Sequence, residues 1–206
     1  GEYYYNFWQD QANPRGLLRR TTLDEYRKAK PAWETVLDID ALGKAEGKDW
    51  VYQGSQPLAP EYRYCLMQLS PDGGDATEIR EFDLVAKRFV KDGFNVPVAK
   101  SRVSWVDRDT LFIATDFGPG SMTQSGYARI AKRWRRGTPL SAAETLYEAQ
   151  PEDMAVFAYH DRTPGFERDF VGRSLDFYRR DYFLLAQDGR QIKIDIPADA
   201  ELDTHR

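Results

Sequence analysis

Short apolar or alternating segments recur along this chain about every 50 residues, and that period constrains the fold more than any single motif. Segments that open a series begin at Trp50, Val103 and Met154, and the third segment of each series carries Ile79, Ile130 and Leu184. Gly, Pro, Asn and Asp punctuate the segments, as expected of strands joined by turns. A four-stranded unit repeated at this interval is the signature of a β-propeller, whose small twisted sheets bury both faces against their neighbours. A β-sandwich also spaces its strands at about 8–12 residues, but it gives no reason for three periods to agree.

The first series comprises predicted strands at Tyr3–Trp8, Leu17–Leu23 and Thr35–Ile39, with Tyr26–Ala32 as a charged loop. The second comprises Trp50–Gln53, Tyr62–Leu69, Glu78–Leu84 and Lys87–Val90. Val103–Val106, Thr110–Thr115, Tyr127–Trp134 and Glu144–Tyr147 form the third, with turns at Asp107-Arg108-Asp109 and Arg135-Arg136-Gly137-Thr138-Pro139. The fourth is Met154–Tyr159, Arg168–Ser174, Asp181–Ala186 and Gln191–Ile196, its last pair joined by a hairpin turn at Gln187-Asp188-Gly189-Arg190.

The chain thus reads as all-β, a partial propeller of about 3.5 to 4 four-stranded antiparallel blades in one domain. The expected limits are 1–45 for an incomplete first blade, 46–98, 99–150 and 151–200 for the next three, and 201–206 for a polar tail. An incomplete ring leaves blade faces uncovered and strand edges unpaired, so the chain is expected to belong to something larger. Gly1-Glu2-Tyr3-Tyr4-Tyr5 has no initiator Met, basic n-region or apolar h-region and reads as a processed chain or part of a longer one. The compartment stays open between cytoplasm and periplasm.

Several chemistries are excluded at once. A net charge of −4 gives no electrostatic reason to bind nucleic acid, and no apolar run reaches the roughly 18 residues of a membrane span. With Cys65 as the single cysteine and only His160 and His205 as imidazoles, an internal disulfide, a cysteine zinc site and a multi-histidine centre are ruled out. Gly118-x-Gly120 lacks the third glycine and the βαβ setting of a dinucleotide site. Asp72-Gly73-Gly74-Asp75 lacks the further ligands of a calcium loop and reads as a hairpin turn. Asp116-Phe117-Gly118 has no accompanying kinase motif. No cofactor and no metal is expected.

Nor does the chain hold an evident nucleophile. Gly172-Arg173-Ser174 lacks the second glycine of a nucleophile elbow and sits in a predicted strand with no helix after it; Gly120-Ser121 has the wrong spacing. His160 stands beside Asp161, but neighbours on a strand point to opposite faces, so it reads as a turn or rim histidine. His205 lies in the polar tail. Lys132-Arg133-Trp134-Arg135-Arg136 reads as the solvated outer rim of a blade. Two loops remain as candidates for facing a pore or a partner: the one after Thr115, with Asp116, Phe117 and Ser121, and the charged stretch Asp161 to Asp169, with Arg162, Phe166 and Arg168.

An ordered series of segments carries a resemblance. It consists of Leu37-Asp38-Ile39-Asp40-Ala41-Leu42 with Glu46-Gly47-Lys48-Asp49-Trp50-Val51; Arg80-Glu81-Phe82-Asp83-Leu84; Phe94-Asn95-Val96-Pro97 leading to Lys100; and Trp105 with Asp109-Thr110-Leu111. Thr115-Asp116-Phe117-Gly118-Pro119-Gly120-Ser121, Arg135-Arg136-Gly137-Thr138-Pro139-Leu140 and Thr163-Pro164-Gly165-Phe166-Glu167-Arg168-Asp169-Phe170 complete it. Together they resemble the N-terminal propeller of the prolyl oligopeptidase family, particularly its bacterial members. The resemblance implies a seven-bladed propeller capping an α/β-hydrolase domain with a Ser-Asp-His triad, which cleaves short peptides, typically after proline.

On that reading this chain is roughly the first half of the propeller and none of the hydrolase. It is then a non-catalytic lid and steric filter whose partners are the C-terminal hydrolase domain and the short peptide substrate. The alternative is a stand-alone propeller that binds peptides or proteins and self-associates through its uncovered blades. A carbohydrate-binding reading rests only on the many Trp and Tyr residues, and aromatics in alternating strands more often fill a core.

Overall fold

The computed structural model describes residues 2–200 and Leu202; His205 and, Leu202 apart, the expected tail at 201–206 lie outside the described residues. The chain forms two compact units, divided between Val98 and Ala99.

In the first unit, β1 (Tyr3–Trp8), β2 (Leu17–Thr22) and β3 (Glu34–Asp38) make an antiparallel sheet in that order. The one-turn helix α1 (Leu23–Tyr26) follows β2, and α2 (Ile39–Glu46) follows β3. The second sheet runs β4 (Val51–Pro57), β5 (Tyr64–Ser70), β6 (Thr77–Asp83) and β7 (Arg88–Phe89), with β8 (Asn95–Ala99) also pairing with β6. The second unit holds two four-stranded sheets. One contains β9 (Arg102–Asp107), β10 (Thr110–Ala114), β11 (Ile130–Arg135) and β12 (Glu144–Glu148). The other contains β13 (Ala155–Asp161), β14 (Arg168–Ser174), β15 (Arg180–Leu185) and β16 (Gln191–Lys193). The fold is all-β, a partial propeller of four antiparallel sheets.

Burial explains the segment pattern. Cys65, Leu66 and Met67 of β5, and Leu111, Phe112 and Ile113 of β10, are consecutive residues with at most 1% exposure. A strand covered on both faces loses the polar half of its alternation, so these central strands read as continuous apolar runs. In the first unit Leu18 and Val36 pack with Cys65, Met67 and Phe82, and the Phe7 ring stacks on Tyr52 with centroids 4.8 Å apart. Each large side chain buried this way contributes about 1.5–3 kcal/mol. In the second unit Ala114, Ala128, Ala131, Ala149 and Ala158 surround Phe112, Val156 and Val171, and these short side chains let β13 approach β9, β10 and β11 closely. Burial, with Glu81 and Asp83 nearby, pushes the Cys65 thiol well above the ordinary cysteine range.

Polar side chains close the turns. Between β5 and β6, Asp72 Oδ1 accepts the Gly74 N–H at 2.8 Å and Ser70 Oγ accepts the Gly73 N–H at 3.0 Å. Gly73 sits there at φ +81°, where a side chain would be strained. Asp107 Oδ1 accepts the Asp109 N–H at 2.7 Å and tightens the turn between β9 and β10.

Several expectations are corrected. Helix α2 was not anticipated, because eight residues with Gly43 inside give a weak periodic signal. Its start and stop signals were nonetheless present: Asp38 caps the first turn by accepting the Ala41 N–H, and Gly47 ends it at φ +64°. Strand β8 was missed because Pro97 interrupts it. Trp50 precedes β4 instead of opening it; fully buried, it donates to Glu46 at 2.7 Å. The strand expected from Tyr127 begins only at Ile130, since Ala128 is held in a bridge to Met122. The last strand stops at Lys193. Within the basic run Trp134 departs from the solvated-rim reading: it is buried and donates to Thr138 O at 2.9 Å, while Arg135 is exposed. His160 lies within β13, not in a turn. No helix among the described residues is long and apolar enough to cross a membrane.

Candidate functional site

The two candidate loops both belong to the second unit, and each is braced by local hydrogen bonds. In the first, Asp116 Oδ1 accepts the Gly118 N–H at 2.8 Å, forming a tight turn. Gly118 and Gly120 adopt φ +107° and +80°, conformations that favour glycine. Ser121 is only 3% exposed; its hydroxyl accepts the Phe117 N–H at 2.8 Å and donates to Gly118 O at 2.6 Å. The hydroxyl is therefore a staple inside the loop. Lys132 Nζ lies 4.5 Å from the centre of the Phe117 ring, a cation–π contact.

The second loop joins β13 to β14. Phe166 N–H donates to Thr163 O at 2.9 Å across Pro164 and Gly165, the latter at φ +80°, which is a type II turn. Asp161 anchors its base, accepting the Thr163 hydroxyl at 2.7 Å, the Thr163 N–H at 3.0 Å and Arg168 Nη2 at 3.2 Å. The Thr163 hydroxyl foremost, with its N–H and Arg168, holds this carboxyl below the usual range. Arg168 Nε also donates to Phe166 O at 2.9 Å. Phe166 is displayed at the tip, 65% exposed. Arg162 turns back and donates to the carbonyls of Trp105 and Val106 of β9; burial lowers its pKa against the opposing pull of Asp107. Asp116, Phe117 and Ser121 bond to one another and to Gly118, whereas Arg162 and Arg168 bond to β9, Phe166 and Asp161, so the six candidates fall on two loops.

The structure also assembles a cluster that sequence reasoning missed. His160 faces Asp169 across the β13–β14 pair, with Nδ1 2.7 Å from Oδ1. Arg133 of β11 donates to Asp169 Oδ2 at 3.4 Å and to Glu144 at 3.3 Å. With Glu167 and Leu184 these residues line a cleft of about 730 Å³. The sequence weighed only the neighbouring Asp161 as a partner for His160. The usable signal was hairpin register, which brings a residue nine positions on into contact. Among the described residues no serine or cysteine lines this cleft; Ser174 stands at the far end of β14, opposite Ala155, and is 6% exposed.

Comparison with known proteins places this geometry. The family described as the N-terminal β-propeller domain of prolyl oligopeptidase matches residues 1–163. An uncharacterized peptidase of Sinorhizobium fredii, y4nA, is 39% identical over 200 residues, which cover 95% of this chain and 28% of that protein. An uncharacterized peptidase of Rickettsia prowazekii, RP174, is 33% identical over 213 residues, covering 97% of this chain and 30% of its own length. Among solved structures, a post-proline cleaving enzyme from Rickettsia typhi superposes with a TM-score of 0.89 at 32% identity, over 96% of this chain and 30% of that one. The chain thus spans less than a third of the length of these relatives.

Proposed function

This chain belongs to the prolyl oligopeptidase family, as part of its N-terminal β-propeller, and from that premise we propose that it caps and gates a peptidase active site lying outside its 206 residues. The observation that carries the proposal is a propeller-family match over most of the chain, alongside which Ser121 is stapled inside its own loop and Ser174 lies at the other end of the β13–β14 pair from His160. The parent reaction is acyl transfer to a serine, with a histidine as general base and hydrogen-bond donors at the oxyanion. In this division of labour the sheets, with proposed limits 1–45, 46–98, 99–150 and 151–200, supply a wall and a steric filter for short peptides. The C-terminal hydrolase domain supplies the chemistry. Phe117 and Phe166, on the two braced loops, are the residues proposed to face the pore or that domain.

The test is hydrolysis of a proline-containing chromogenic peptide. The 206-residue chain is expected to show none, whereas the full-length polypeptide turns it over. Turnover by the short chain that a serine-reactive phosphonate abolishes would overturn the proposal.

A second reading, a self-associating interaction module, is favoured by the aromatics exposed on the first sheet and beside it, where Tyr4, Trp8 and Tyr26 are 45, 43 and 55% accessible. Sedimentation decides it: a strict monomer at high concentration removes this reading.

A further inference from the structure

We propose that the cleft beside His160 is a binding site for the guanidinium of an arginine side chain carried by a peptide. The proposal stands apart from what the propeller caps, because the cleft lies wholly within the second unit. Two neighbouring sheets wall it: β11 and β12 supply Arg133, Glu144 and Leu146, and β13, β14 and β15 supply His160, Asp169 and Leu184. Gln191 of β16 donates to Leu146 O and ties the outer strands of the two walls together. The volume of about 730 Å³ is in the range of small-ligand clefts.

The titratable side chains decide what the cleft holds. An ionised carboxylate only accepts, so the proton between Asp169 Oδ1 and His160 Nδ1 belongs to the ring. In the neutral imidazole Nε2 is then left as an acceptor. Asp169 is the one hydrogen-bond partner of His160 among the described residues, and the imidazole is 18% exposed. Glu167 lines the same cleft two positions before Asp169, about 6–7 Å along an extended chain. Among the described residues it makes no hydrogen bond or ion pair.

The other charges of the lining are committed. Arg133 is shared by Asp169 and Glu144, Arg168 by Asp161 and Phe166 O, and Asp188 is taken by Arg190. No cation is left for an anionic ligand, whereas Nε2 and the Glu167 carboxylate are left for a donor. Among the described residues no group of three His, Cys, Asp or Glu side chains is placed to hold a metal ion. Two separated acceptors favour guanidinium over ammonium, since its planar fork of five N–H donors reaches both at once while an ammonium is a single point. Leu146, Leu184 and Leu185 offer an apolar strip on which the aliphatic stem can lie.

Binding is read on the imidazole itself. The chain has two histidines, so isotope-labelled histidine with His205→Gln leaves one ring to follow by NMR, at about pH 8, where an ordinary imidazole is neutral. Nα-acetyl-arginine amide should move the Nε2 signal saturably, and Glu167→Gln should weaken that binding about 3- to 10-fold. Glu167 has no partner to lose, so the variant should unfold at the same urea concentration as the parent chain. Nα-acetyl-lysine amide should bind about 3-fold or more weakly. A signal that stays in place up to the solubility limit of the arginine amide would overturn the proposal. So would an equal response to the neutral Nα-acetyl-citrulline amide, affinity unchanged by Glu167→Gln, or a response to inorganic phosphate in place of arginine. The family assignment survives each of these outcomes.

Discussion

His160 and Asp169 sit opposite one another on paired strands, and the carboxylate between them and Arg133 ties β14 to β11 of the neighbouring sheet. Asp169 is the shared acceptor, so Asp169→Ala strands both donors and is expected to lower stability by about 1–3 kcal/mol. Glu144→Ala, at an exposed carboxylate with a 3.3 Å contact to the same arginine, should stay within about 0.5 kcal/mol. Urea unfolding of the two variants measures both. Equal losses would mean that Asp169 does not hold the cluster.

Asp83 gives the chain a predictable acid response. Burial raises its pKa, but Arg63 and the N–H groups of Ala86 and Val85 outweigh this and hold the carboxyl below its ordinary 3.8. The carboxylate form is favoured in the folded state, so its stabilisation is complete above about pH 4 and fades as the pH falls through the lower folded value. Asp83→Asn should cost about 1–3 kcal/mol at pH 7, and the gap to the parent chain should narrow below pH 4. A gap constant across an acid titration followed by circular dichroism would contradict the assignment.

Gly43→Ala should destabilise a helix that it would ordinarily favour. The exchange gains about 1 kcal/mol of helix propensity. Against this, a β-carbon at position 43 would stand 2.6 Å from the backbone oxygen of Lys48. Backbone cannot swing aside, so a net loss of about 1–3 kcal/mol is expected. Thermal unfolding reads it; a stabilised variant would show that the chain after α2 yields freely.

Ser121→Ala separates structure from chemistry. Losing a hydroxyl that serves three loop atoms should cost about 1–2 kcal/mol. In the full-length protein, peptide turnover per folded molecule should be unchanged, and a serine-reactive phosphonate should label neither Ser121 nor Ser174. Mass-spectrometric detection of label on either residue would refute this.

Phe166→Ala addresses gating. The ring is 65% exposed, so its removal should change stability by less than about 0.5 kcal/mol. In the full-length protein, longer peptides should gain relative to short ones in kcat/KM. An unaltered length profile would take Phe166 out of the access route.

How much was legible beforehand depended on the range of the interaction. Strand positions such as Tyr3–Trp8 and Arg168–Ser174 follow from local alternation and turn residues, and they match the structure residue for residue. Trp134 was misplaced because its neighbours are four basic residues, while its burial is decided by packing within the second unit. The His160–Asp169 contact is harder to read for a related reason: it depends on pairing register, which the hairpin loop sets and adjacency alone does not show. Local chemistry, such as the Thr163–Phe166 turn, is written in the sequence. Cross-strand chemistry is written only in the pairing.

The lone thiol at position 65 has a practical meaning. Enclosed in the first unit and held protonated by its surroundings, it is shielded from alkylating reagents until the sheet around it opens. Its labelling rate under pulse conditions is then a built-in clock for that opening, one that needs no engineered probe.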